Sequence, residues 1–147
     1  MQPVWLDLDW FCIDSAGEVA HFASAGGHVP PIVLRDVDAA IRISKFIEGL
    51  PEIGDAIINP NLEKFSAKIG DMSSFMHFAH RGFYSFDKTK PQFALEHKYH
   101  LMASPAVLLR VESLPSELLK YIVGTKFNGY FKECPAADVT SLVELNH

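Results

Sequence analysis

The sequence predicts an α+β domain: a mostly antiparallel sheet that starts with an N-terminal hairpin and carries two to four helices. Three observations predict it. Residues 4–13 alternate strictly, with Val4, Leu6, Leu8, Trp10 and Cys12 on one side and Trp5, Asp7, Asp9, Phe11 and Ile13 on the other, the period of a strand. Leu62, Phe65, Ile69, Met72, Met76 and Ala79 instead step by three and four residues, the period of an amphipathic helix. Strand signals come in groups with helices between them, not in strict β-α-β alternation, which favours an antiparallel sheet with helices on one face.

The elements follow in order. Residues 4–13 form a first strand, expected to be buried well on one face and partly on the other. Asp14, Ser15, Ala16 and Gly17 supply a turn, with Gly17 suited to a positive φ, and residues 19–24 return as the second strand. The loop 25–31 contains Gly26-Gly27 and Pro30-Pro31, which permit neither a helix nor a central strand. Residues 32–48 turn helical, with Asp36 as an N-cap, Gly49 closing the helix in a left-handed conformation, and Pro51 barring its return. Asn59-Pro60 starts a second helix over 61–80. Gly70-Asp71 marks a weak point or a second cap within it, and Gly82 ends it. Strands are expected at 83–86, 99–103 and 107–111, with a polar connector at 87–92. A short helix opens near Ser113 and ends near Gly124. Residues 127–133 read as a strand bent at Asn128-Gly129, and 139–145 as a last one.

A chain of 147 residues has the size of a single domain, 1–147, and buries roughly two-thirds of its unfolded surface. Its 48% hydrophobic content and 11 Phe supply the core, and 21% charged residues argue against disorder. The net charge of −5, with no cluster of Lys and Arg, disfavours nucleic-acid binding. No apolar run reaches the ~20 residues that span a bilayer, and no secretory signal is visible. A cytoplasmic location is therefore expected. Cys12 and Cys134 form no C-x-x-C unit, and Cys12 is expected as a reduced, packed thiol.

The run of residues 6–15, LDLDWFCIDS, resembles the first motif of the haloacid-dehalogenase-like phosphatases. The resemblance implies Asp7 as nucleophile and Asp9 as acid beside Mg²⁺, with Gly70-Asp71 similar to that family's metal-binding fourth motif. Trp10-Phe11, however, stands where that family keeps a small Gly followed by a Thr, and residues 72–75 contain no second carboxylate. A strand that turns straight back at Gly17 is also not the parallel crossover that fold requires. Two histidine pairs, His77/His80 and His97/His100, have the three-residue spacing that can place two imidazoles on one metal, with His21, Asp7 or Asp71 as a third ligand. They read more simply as surface or interface histidines. No G-x-S-x-G, activated thiolate or phosphate-binding glycine loop is present, and no cofactor is expected.

Residues 7–27, DLDWFCIDSAGEVAHFASAGG, resemble the opening of small uncharacterised bacterial proteins. Residues 81–87, RGFYSFD, followed by 99–115, YHLMASPAVLLRVESLP, resemble a pattern in immunity proteins of polymorphic toxin systems. That resemblance implies a non-catalytic protein with a toxin-like protein partner, and it assigns no residue a role. Loops held on a rigid scaffold often carry contacts, so Trp5, Asp7, Asp9, Phe11 and His28 are the candidate contact residues. The competing expectation is that the aromatic residues among them pack beneath a helix.

Overall fold

The computed structural model describes residues 8–24, 29, 33, 35–62, 72–89, 98–123, 125–139 and 142–144. Trp5, Asp7, His28, Asp71 and His97 lie outside the described residues, as do most of the loop at 25–31 and residues 63–71 of the helix expected over 61–80.

The described strands are β1 (Asp9–Ile13), β2 (Val19–Ala23), β3 (Ala56–Ile58), β4 (Tyr84–Lys88), β5 (Lys98–Pro105), β6 (Thr125–Phe127), β7 (Ala136–Asp138) and β8 (Leu142–Glu144). They join in one sheet in the order β3-β5-β4-β2-β1-β6-β8. The long β5 pairs with β7 at one end and with β3 at the other. The described helices are α1 (Val37–Glu48), α2 (Ser73–His80) and α3 (Ser116–Val123). The class is α+β. The sheet is mixed, because β2 runs parallel to β4 and β1 parallel to β6. These parallel neighbours are far apart in sequence, and the chain between β2 and β4 passes through α1, β3 and α2 before it returns.

The hairpin forms as its residues dictate. Asp9 lies opposite Ala23 and Ile13 opposite Val19, and Gly17 sits at φ +80°, open only to glycine at little cost. Alternation sends Trp10 and Cys12 to one face of the sheet and Asp9 and Phe11 to the other. On the first face Trp10 stacks on Phe22 at 4.4 Å, and Phe22 on Phe86 at 4.9 Å. Tyr99 meets Trp10 and Phe22 edge-on, and Phe131 closes the stack. On the second face Phe11 packs with Phe78, Phe83, Ile43, Ile47, Leu118 and Ile122, under the three helices. Both faces of β1 are therefore buried, where one and a half were expected. Cys12 is a free, buried thiol, and burial pushes its pKa well up.

Helix α1 buries Ala39, Ala40, Ile43, Ser44 and Ile47, the three- and four-residue spacing of one stripe. Asp36 caps it, its carboxylate accepting from the Ala39 N–H at 2.9 Å. Replacing Asp36 with Ala is expected to cost about 1 kcal/mol, seen as a lower urea midpoint at unchanged slope. Gly49 does not reverse the chain. It stays right-handed at φ −87°, ψ −2°, because the helix runs on into a tight turn in which Leu50 N–H donates to Ile47 C=O. Gly82 does end α2, at φ +95°. A side chain there would also run into the Leu109 backbone nitrogen.

Two expected strands are absent as such. Residues 107–111 leave the sheet, with Val107 and Leu108 exposed and a 3₁₀ turn over Val111–Ser113, because β3 occupies the edge of β5 that they would need. Residues 127–133 break after β6 into a 3₁₀ turn over Phe131–Glu133, and Phe131 is drawn into the core. The two strands not foreseen, β3 and β7, are three residues long each.

Candidate functional site

The second face of the sheet carries a polar cluster beneath α2. The register sets Phe11 opposite His21, and His21 beside Ser85 on β4. Strand alternation points all three side chains, and that of Asp9, to the same face. His21 is fully buried. Its Nε2 lies 2.7 Å from Asp9 Oδ1 and its Nδ1 2.6 Å from Ser85 Oγ. The ring stacks on Phe78 at 3.9 Å and touches Phe75 and Phe11. A carboxylate only accepts, so Nε2 carries the proton, and in the neutral ring Nδ1 accepts from the Ser85 hydroxyl.

Hydroxyl, imidazole and carboxylate in line are the parts of a nucleophilic relay, with the two ring nitrogens exchanged relative to a serine hydrolase triad. The surroundings do not serve that chemistry. Ser85 is completely buried, on a strand with a hydrogen-bonded neighbour on each side, so no reacting carbonyl fits beside its oxygen. The cluster instead satisfies three polar groups at once and fixes β1, β2 and β4 in register. It involves Asp9, the one candidate contact residue that is both described and partly open to solvent, its side chain 41% exposed.

Phe11, also expected at a contact surface, is 1% exposed. It fills the space beneath α2 against Phe78 and Phe83, in line with the competing expectation that the aromatics pack beneath a helix. The β1–β2 pairing is an antiparallel hairpin, unlike the parallel crossover that the phosphatase resemblance requires.

The histidines are separated by their bonds. His77 Nε2–H donates to the Glu48 carbonyl at 3.1 Å, and His80 Nδ1–H to the Gly54 carbonyl at 3.0 Å. His100 lies within 3.2 Å of the Thr89 hydroxyl, and burial lowers its pKa. Among the described residues, no group of three or more His, Cys, Asp or Glu could hold a metal ion. No described helix is long and apolar enough to cross a membrane.

A second feature lies between α1 and α3. Ala39, Arg42, Ile43 and Phe46 of α1 face Pro115, Leu118 and Tyr121 across a groove of about 270 Å³. Phe46 is 45% exposed. Burial, with the Asp36 carboxylate nearby, pushes the Tyr121 phenol up to about 12, so it stays a neutral hydroxyl. Among the described residues, no carboxylate pairs with the Arg42 guanidinium. The sequence reading missed this groove; the signal that could have found it is Phe46, an aromatic residue where a wholly polar outer face of α1 would continue. The chain matches no family model, no curated protein and no solved structure.

Proposed function

We propose that this chain is a non-catalytic protein that binds another protein, in the manner of a toxin-neutralising immunity protein. The observation that carries the reading is the α1–α3 groove, whose apolar walls are joined by an arginine that no described carboxylate neutralises. Such a groove fits an apolar side chain flanked by a carboxylate on the partner, because Arg holds carboxylates through paired N–H donors. A partly exposed aromatic beside a cleft is the usual form of an interface anchor. The resemblance of residues 81–87 and 99–115 to immunity proteins supports the same direction.

The test is co-purification with the product of a neighbouring toxin-like gene. The wild-type chain is expected to retain that product. Arg42→Glu combined with Phe46→Ala is expected to weaken capture by about 100-fold or more, at a stability within about 1 kcal/mol of wild type. Full capture by the folded double variant would remove the groove from the interface. Mg²⁺-dependent turnover of a phosphate ester, lost in Asp7→Asn, would replace the whole reading with a phosphatase.

A further inference from the structure

The bend at Asn128-Gly129 joins β6 to the 3₁₀ turn over Phe131–Glu133. Ser15 ties it to the β1–β2 turn, donating its N–H to the Gly129 C=O at 2.9 Å. Two residues on, Phe131 N–H donates to Asp14 Oδ2, and the Phe131 ring closes the aromatic stack. Asn128 itself is exposed. The nitrogen that follows it, that of Gly129, donates to the Ser15 hydroxyl at 3.3 Å, a bond longer than most of its kind. The fold cannot exchange this glycine. It sits at φ +154°, and a Cβ there would meet the Phe127 ring. Yet a glycine leaves its own nitrogen unshielded, since no Cβ hinders approach to it. The other described asparagines are placed differently. Asn59 precedes Pro60, which has no N–H, and its side chain is held by Leu101 C=O and Asn61 N–H. Asn61 precedes Leu62, whose buried side chain stands beside the nitrogen.

We infer that Asn128 is a site of spontaneous deamidation, and that its isoaspartyl product releases residues 129–131 from the β1–β2 turn. Asparagine is chemically labile, and here the fold holds an exposed amide next to an unhindered nitrogen. The Gly129 nitrogen gives its proton to solvent and attacks Asn128 Cγ. The new N–Cγ bond forms, the Cγ–Nδ2 bond breaks, and Nδ2 takes up a proton and leaves as ammonia. Water then opens the succinimide. Addition at Cγ leaves aspartate on an unchanged backbone. Addition at the main-chain carbonyl carbon leaves isoaspartate. The backbone then runs through Cβ and Cγ, one atom longer, and the former carbonyl is a free carboxylate. The β6 side cannot take up the extra atom, because Lys126 and Phe127 are paired to β8 and Phe127 is stacked on Phe131. Gly129 is displaced instead, so the bonds to Ser15 and Asp14 are the ones that yield. This one-way change leaves the α1–α3 groove untouched and stands apart from the function proposed above.

Ageing the full chain at neutral pH and physiological temperature, followed by peptide mapping, tests it. Asn128 is expected to convert before Asn59 and Asn61, faster as the pH is raised, giving isoaspartate as well as aspartate. Each conversion adds one negative charge to the net −5, so the products separate on anion exchange. In the isoaspartyl form the Phe131 amide is expected to exchange with solvent about 10-fold faster or more than in the fresh chain. Asn128→Asp carries the same charge on an unchanged backbone and is expected to keep the fresh rate. Asn128→Ser is expected to stay unmodified at this position. A folded chain that keeps Asn128 intact while the urea-unfolded chain converts overturns the inference, because the fold then shields the site. So does an isoaspartyl form whose Phe131 amide exchanges as in the fresh chain, or equal acceleration in Asn128→Asp.

Discussion

Replacing His21 with alanine is expected to lower the unfolding free energy by about 3 kcal/mol, read from urea denaturation at neutral pH. Two losses add. The ring is stacked on Phe78 and wedged between Phe11 and Phe75, and its removal leaves a cavity beneath α2. The Ser85 hydroxyl, completely buried, then has lost the imidazole at 2.6 Å. Ser85→Ala alone is expected to cost about 1–2 kcal/mol, because Nδ1 is left buried without its donor. The informative measurement is the double variant His21→Phe with Ser85→Ala, which replaces both partners by apolar groups. It is expected to be more stable than the sum of its single changes by about 1 kcal/mol or more. Additive effects would mean that the two side chains are neighbours without being partners. A relay that worked as a catalyst would show instead as activity lost at unchanged stability, the opposite pattern.

What the sequence reveals and what it hides divides along chain distance. Gly17 and Asp36 are legible because a turn and a cap are made by residues within four positions of each other. The alternation of residues 9–13 is legible for the same reason, down to which side chains share a face. The partners of those faces are not. His21 meets Ser85 across 64 residues and Asp14 meets Phe131 across 117, and no local pattern marks either pair. Polar character at Asp9 and His21 suggested chemistry or a contact, and the bond that joins the two side chains has no mark in the alternation. Residues 107–111 show the converse failure. Their composition suits a strand, but strand formation needs a free neighbour, and Ala56–Ile58 had already taken the edge of β5. That edge strand escaped notice because three residues are too few for a period to appear. The α1–α3 groove was not read from the sequence, since a helical stripe names at most one wall of a cleft and not the other.

Asp14→Ala is expected to be at least as damaging as the loss of His21, at about 3–4 kcal/mol, because one carboxylate organises two separate parts of the chain. Asp14 is 1% exposed. Its Oδ1 accepts from the Ala16 and Glu18 N–H groups at 2.9 and 3.0 Å, closing the β1–β2 turn. Its Oδ2 accepts from the buried Phe131 N–H at 2.9 Å. Hydrogen bonds to a charged acceptor contribute about 1.5–3 kcal/mol each, and a buried donor left without one costs about 1–3 kcal/mol. The long-range bond matters most, since it holds Phe131 where its ring closes the stack of Phe22, Phe86 and Phe127. Ser15 reinforces the link by donating its N–H to the Gly129 carbonyl at 2.9 Å. Asp14→Asn separates the two contributions. An amide keeps one carbonyl oxygen for the turn but presents an NH₂ group to the Phe131 N–H, so it is expected to fall between wild type and Asp14→Ala. The chemical shift of the Phe131 amide should move in both variants, while that of Ala16 moves far more in Asp14→Ala. Equal stability of the Asn variant and wild type would show that the bond to Phe131 contributes nothing, and the break of the chain after β6 would then need another cause.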